Sequence, residues 1–396
     1  MRHITVIGGG FAGLTAAITC AEAGAEVTLY EAHHTLGGRA RTADGPYGTN
    51  EGPHALYVGG PHWPWLAARD LIGPLAKIPL REGTRFRFHQ AGGLRRTPPL
   101  AILKLLRHRD APVDQDFATW AASRVGEEGM RAAANYLAVV LFHHDAGQLS
   151  AAFVQERLLR NVKLRPEARY VRGGWGGFID RMARHARALG VRVETATRID
   201  SLDALPAGHG PVIVATSLAA ARKLLDDPSL VGESGRTVLL DLALRSRRGD
   251  PFIVAGLDLP AWVERFTAQD RSLAPAGEEL IQAQLPIAPT ERKDAGEARA
   301  ERVLDVAFPG WRDRTVFRRS ALAAGRTGAL DLPGTTWRDR PAVRRGDGVY
   351  LAGDQVAAPG ILCEVSFTSA LEASTLALGE GRHTHPVRSP LDLNQS

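Results

Sequence analysis

Three adjacent glycines, Gly8, Gly9 and Gly10, interrupt the stretch ITVIGGGFAGLTAAITCAEAGAEVTLYE that runs from Ile4 to Glu31. An apolar run precedes them, an alanine-rich run follows, and an acid closes the segment. Ile4 to Ile7 is β-branched and short, which predicts a buried strand. Leu14 to Ala23 reads as a helix ended by Gly24, and Val27 to Tyr30 as a second strand closed by Glu31. Gly8, Gly10 and Gly13 fall in GxGxxG spacing, with Phe11 and Ala12 between the last two. In such a unit Gly8 permits the tight turn, Gly10 lets main chain approach a pyrophosphate, and Gly13 lets the helix close on the sheet. The helix N-terminus offers unpaired N–H groups to the phosphate. Glu31, with Ala32 after it, stands where an acid accepts from ribose hydroxyls. A glycine triplet alone also suits a plain structural turn; strand, turn, helix, strand and acid in that order predict a dinucleotide site.

At 396 residues the chain is long for one core, so two domains are expected. Its two cysteines, Cys20 and Cys363, form no CxxC pair or disulfide framework, which suits a reducing compartment. No stretch approaches the roughly 20 apolar residues of a membrane span. The N-terminus alternates like a strand and lacks a cleavage site of small residues, so it reads as mature structure in a cytoplasmic protein. The net charge of +6 is carried almost wholly by arginine and is spread along the chain. There is no basic run interleaved with aromatics, which argues against nucleic acid as a partner.

Soon after the ribose acid comes GGRART, residues 37–42. A second glycine pair with an arginine has no task in a plain nicotinamide fold. It resembles the second signature of the flavoprotein superfamily of amine oxidases, phytoene desaturases and protoporphyrinogen oxidase. There the segment wraps the pyrophosphate and flavin, a role that falls here on Gly38 and Arg39. The guanidinium fork suits a phosphate. GTNEGPHALY, residues 48–57, resembles the family segment beside the flavin ring, with Gly52, Pro53 and His54 at the contact. RGGWGGFIDRMARHARALGVRV is similar to the family's glycine loop and following helix, and TRIDSL places the adenine-binding main chain at Ile199. PVIVATSLAAARKLL matches the returning strand and its turn at Ala215 and Thr216. GVYLAGDQVAAPGILCEVSFTSALEAS, residues 348–374, resembles the C-terminal flavin signature. In it Gly353 and Asp354 face the ribityl-phosphate portion, and Leu362 and Cys363 the N1 and C2=O edge of the ring. A helix N-terminus there stabilises the charge of a reduced flavin.

The resemblance implies an α/β architecture: a Rossmann-like FAD-binding domain of the glutathione-reductase type with an interleaved α+β substrate domain. Residues 1–60, 166–236 and 335–380 are expected to form the first, and 61–165 and 237–334 the substrate or cap domain. The polar, proline-bearing segment 381–396 reads as a flexible tail. The first insertion reads as mostly helical; the second holds strands TVLLDLALR and ELIQAQLPI and a helix in DAGEARAERVLDVAFPGW. The basic, amphipathic stretch from Pro98 to Arg109 reads as a cap helix; peripheral contact with a membrane is the alternative. His143, His144 and Asp145 stand together without a third partner spaced for a metal, so no metal is expected.

Some positions depart from the family. Cys363-Glu364-Val365 and Ser369-Ala370 stand where glycines and Ser-Gly are usual. Cys363 falls on the wrong ring edge for an 8α link, which implies noncovalent FAD. None of the five lysines lies on a convincing substrate-domain strand, which weakens the typical amine-oxidase reading. No second GxGxxG follows a strand, so oxygen, a quinone or a carrier is the expected electron acceptor. The expected reaction is removal of hydride from a substrate C–H, giving C=C or C=N in a small, lipophilic or secondary-metabolite substrate. The alternatives are a flavin-dependent isomerase or mutase, an amine oxidase proper, and a non-catalytic escort protein. No catalytic side chain is fixed by motif; His54 and Trp175 are the candidates to line the flavin face.

Overall fold

A computed structural model describes residues 2–51, 55–163, 167–325 and 327–379. Gly52, Pro53, His54 and the tail from residue 380 onward lie outside those residues.

The β-branched run at the N-terminus forms strand His3–Ile7 at the centre of a six-stranded sheet. Its parallel strands run, in spatial order, Arg192–Glu194, Glu26–Tyr30, His3–Ile7, Val212–Val214 and Val349–Leu351. Numbered by chain position this is 3-2-1-4-5, the doubly wound order whose switch point lies between the first strand and the fourth. Arg344–Gly346 adds an antiparallel edge. Helices Phe11–Glu22, Trp175–Ala188 and Cys363–Gly379 pack with this sheet around a shared core. The alanines predicted to be helical are what let the first and last helices close: Ala16, Ala17, Ala370 and Ala373 are fully buried. Where they touch, Ser374 Oγ donates to the Ala16 carbonyl at 3.4 Å.

A second, seven-stranded sheet runs in the order Thr315–Ala324, Arg236–Arg245, Glu278–Pro286, Trp262–Arg265, Ile253–Gly256, Phe86–Gln90 and Gly93–Arg95. The two strands read in the second insertion lie side by side near its middle. Their period-two alternation sends Leu240, Leu242, Ile281 and Ala283 to an apolar core under helix Lys293–Ala307. The opposite face carries Asp241, Glu264, Gln282 and Gln284, all buried. The first insertion, read as mostly helical, also supplies the edge hairpin at Phe86–Arg95. Its long helix, Phe117–Leu141, is capped by Asp116 and broken at Gly126, where φ is +76°.

The helix expected over Pro98–Arg109 is only Leu100–Leu105. Two prolines precede it, and only Ile102 and Leu105 are buried, so packing supports a little over one turn. His143 and His144 follow the C-terminus of the long helix, where Phe142 is left-handed at φ +56°. Among the described residues no group of three His, Cys, Asp or Glu could hold a metal ion.

Candidate functional site

The glycine loop stands at the carboxyl end of the first strand, at the switch point. Gly8 turns at φ +108°, and a Cβ there would lie 2.7 Å from the Ala215 carbonyl oxygen. Ala215 in turn donates its N–H to Ile7 at 2.8 Å, so strand one and the Ala215–Thr216 turn are locked together. At Gly13 a Cβ would sit 1.8 Å from the Gly8 carbonyl oxygen: the helix rests directly on the turn. Gly10 differs from both. A Cβ at this helix-capping position would meet only the Gly37 oxygen, at 3.8 Å, and no side chain caps the helix. Space, then, is kept in front of the helix N-terminus, where an anion is favoured.

The second glycine pair closes over the first. Gly37 donates to the Gly9 carbonyl at 2.8 Å, and Gly38 (φ +57°) faces the Gly10 Cα. Glu31 is buried, and both its oxygens accept main-chain N–H groups, from Gly9 and His33, at 2.8 Å each. The acid therefore ties the glycine loop to the segment after the second strand, keeping further lone pairs for hydroxyl donors. Around it, Ala196 donates to the His33 carbonyl and Thr197 to that of Glu31, so the loop bearing the half-buried Ile199 lies beside Ala32.

Arg39 makes a bidentate ion pair with Asp354, 315 residues away, at 2.6 and 2.7 Å. The pair joins the GGR turn to the Gly353–Asp354 turn across the mouth of the glycine loop. Gly353 is held in turn by Ser369, whose Oγ accepts its N–H at 2.9 Å and donates to its carbonyl at 3.1 Å. Leu362, at φ +52°, is a strained non-glycine residue immediately before the last helix.

Cys363 begins that helix with its sulfur 4.0 Å from Nε2 of the fully buried His62. Burial pushes the thiol up to about 12 and the imidazole down to about 4, so both are neutral near pH 7. Glu364 is 2% exposed and takes two bonds from Arg160, at 2.7 and 2.8 Å, and one from the Ile361 N–H. Arg160 also holds Glu167, which pairs with Lys163. Burial opposes the Arg160 charge, but the two carboxylates outweigh it and raise its pKa. The start of the last helix is thus fixed by a buried charge network that resemblance alone did not reveal.

Trp175, the first residue of its helix, is buried edge-on to Phe178, which packs on Phe11. On the polar face of the second sheet, Asp241 binds Arg319 and Gln282, and Arg319 reaches the Asn50 carbonyl. Asn50 precedes Gly52, Pro53 and His54 in the chain, and these three lie outside the described residues. Farther along, Glu264 accepts from Trp262 Nε1 (2.9 Å), Gln269 Nε2 (3.0 Å) and the Tyr170 hydroxyl (3.4 Å). Burial pushes its carboxyl up to about 7. No motif marks these residues; only alternation of buried polar with apolar positions on the strands hints at them.

Residues 6–68 match the profile of an NAD(P)-binding Rossmann-like domain. No curated protein sequence matches the chain. Among solved structures, an oxidoreductase from Methanosarcina mazei superposes with a TM-score of 0.75 at 18% identity, covering 95% of this chain and 100% of the other. A candidate protoporphyrinogen oxidase from Exiguobacterium sp. 255-15 gives 0.69 at 16%, covering 95% and 99%. Cyclohexylamine oxidase from Brevibacterium oxydans IH-35A gives 0.71 at 15%, covering 96% and 99%. With the doubly wound sheet, the interleaved second sheet and these full-length superpositions, the chain carries an NAD(P)-binding Rossmann-like domain and has the fold of the amine-oxidase and protoporphyrinogen-oxidase structures.

Proposed function

We propose that this protein is an FAD-dependent oxidoreductase that binds its cofactor noncovalently. One observation carries the reading: the Arg39–Asp354 pair bridges the GGR turn and the Gly353–Asp354 turn beside a glycine loop left open at Gly10. A nicotinamide fold needs only the loop. Two further turns from distant parts of the chain suit a ligand that continues past the pyrophosphate.

In this reading Gly10 and the first helix hold the pyrophosphate, Glu31 and the main chain near Ile199 hold the adenosine, and Asp354 the ribityl portion. When bound, FAD supplies an acceptor for hydride from a substrate C–H, leaving C=C or C=N. The chain's own part is alignment and exclusion of water. The helix starting at Cys363 turns its positive end toward developing negative charge, and the Glu364–Arg160 pair holds that end in place. Oxygen, a quinone or a carrier would be the final electron acceptor. His54 and Trp175 remain the candidates for the flavin face. Among the described residues no helix is long and apolar enough to cross a membrane. None of the five lysines lies on a strand, which favours a dehydrogenase of the phytoene-desaturase kind over an amine oxidase.

Purification tests the cofactor: the protein should be yellow and release FAD on denaturation. Anaerobic bleaching by a substrate, with one product equivalent per flavin, then separates net oxidation from isomerisation. A colourless protein that takes up no added FAD overturns the proposal.

A further inference from the structure

Basic residues occur along the whole chain, but their excess over acids does not. Residues 77–109, in the first insertion, hold nine lysines and arginines against one acid, Glu82, and the remaining residues together hold slightly more acids than bases. Glu82 is buried and pairs with Arg81, Arg85 and the interior Arg265. The other seven cations of the segment make no ion pair among the described residues. Burial, Arg96 and Arg85 together lower the pKa of Arg87, as happens where like charges face one another.

The same segment carries the two most exposed large apolar side chains among the described residues, Leu80 at 92% and Leu100 at 73%. They are built alike. Pro79 and Pro99, at φ −62° and −59°, cap helices Leu80–Gly83 and Leu100–Leu105, and each leucine takes the first helical position. The two helices flank the open end of the hairpin Phe86–Arg95: one leads into its first strand, and the other follows its second. Ile102 and Leu105 turn inward to the core that holds Phe88, while Leu100, Leu103 and Lys104 share the outward face. Ile78, also exposed, extends the apolar surface beside Leu80.

We propose that this face is a docking surface for an anionic phospholipid bilayer, with Leu80 and Leu100 entering the headgroup region and the surrounding cations meeting lipid phosphates and carboxylates. At these exposures the leucines gain little from packing within the chain, and an acyl layer supplies that gain. The unpaired excess of cations complements a negative surface potential. Nucleic acid would meet the same cations, but its bases stack on aromatic rings, and Phe86 and Phe88 of this segment pack into the core. The protein would rest on such a surface without spanning it. The proposal uses none of the residues assigned to FAD and stands apart from the flavoprotein reading.

Co-sedimentation of the purified full-length protein with phosphatidylcholine vesicles, plain or with about a third phosphatidylserine, tests it. The protein should bind the serine-containing vesicles at least about tenfold tighter, and rising salt should weaken that binding. Leu80→Ser with Leu100→Ser should weaken it at least about tenfold, with melting temperature and FAD content unchanged. Arg95→Glu with Arg96→Glu should weaken it by at least as much. The same reversals at the exposed Arg222 and Arg248, outside the segment, should leave it within about twofold. Equal binding to both vesicle types, or none, sinks the proposal. So does a leucine pair without effect beside charge reversals that abolish binding, which would make the face a general polyanion site. A dimer in solution that the leucine substitutions make monomeric, without vesicle binding, assigns the face to a second copy of the chain instead. If one double variant fails to fold, unchanged vesicle binding in the other is decisive against the proposal. A colourless protein that still binds vesicles removes the flavoprotein reading alone.

Discussion

The two sheets solve the same problem, holding polar chemistry inside a protein, by opposite means. Around the glycine loop of the first sheet most of the work falls to main chain. Gly8, Gly13, Gly37 and Gly353 bring backbone within contact of backbone, and the buried acid Glu31 is satisfied by N–H groups. The second sheet uses side chains. Arg265, 3% exposed, bridges Glu82 and Glu279, and Asp241 holds Arg319 and Gln282. Main-chain geometry is set by local residue type, whereas a buried ion pair depends on partners from other elements. The first kind of site is therefore rigid and generic, and the second can be rebuilt to suit another substrate.

Substitutions can break that contrast, beginning with the largest effect. Gly13→Ala places a methyl on the Gly8 carbonyl and should cost more than about 3 kcal/mol, with no flavin retained. Denaturant unfolding and flavin content check both. Arg265→Met takes the buried partner from two carboxylates and should cost about 3 kcal/mol, although Arg271 still reaches Glu279 and Arg85 still reaches Glu82. A loss no larger than that of a surface substitution would mean that the second sheet does not depend on its buried charges.

Glu264→Gln should change the pH dependence of stability. The folded carboxyl titrates at about 7 against an ordinary 4.5, so between these values the folded state holds the extra proton. Wild-type stability should then fall as pH rises from about 4.5 to about 7, by up to about 3 kcal/mol, and the glutamine variant should not show that fall. Melting temperatures across that range decide it. The smallest effect on the fold is the sharpest test of the site. Gly10→Ala has room for its methyl and an extended capping conformation, so apo stability should shift by less than about 1 kcal/mol. FAD affinity should nevertheless drop at least about tenfold, because the methyl enters the space kept for the phosphate. Equal FAD binding would move the cofactor away from this loop.

Much of the first region was legible in the residues. The strand, glycine turn, helix and second strand stand within a residue or three of their expected bounds, because each is set by local pattern. The Gly353–Asp354 turn and its helix were also readable, by resemblance. The buried network of Glu364 with Arg160 was not, although Glu364 stood out as an acid in a glycine position; nothing in the chain pairs it with a residue 204 positions away. The short cap helix was overread because its amphipathic pattern continues past the residues that packing supports. Ser369 was noted as part of a departure, yet its grip on Gly353 needs the last helix seated against the turn.

By itself the sequence determined the dinucleotide-binding unit and the alternation of the two long strands, since backbone conformation and side-chain periodicity are local properties. Only the tertiary structure decided that Arg39 meets Asp354, that Glu364 meets Arg160, and that Glu264 is buried among neutral donors. Electrostatic partnership acts through space, and the chain must fold before distance and burial can set the charge each group carries.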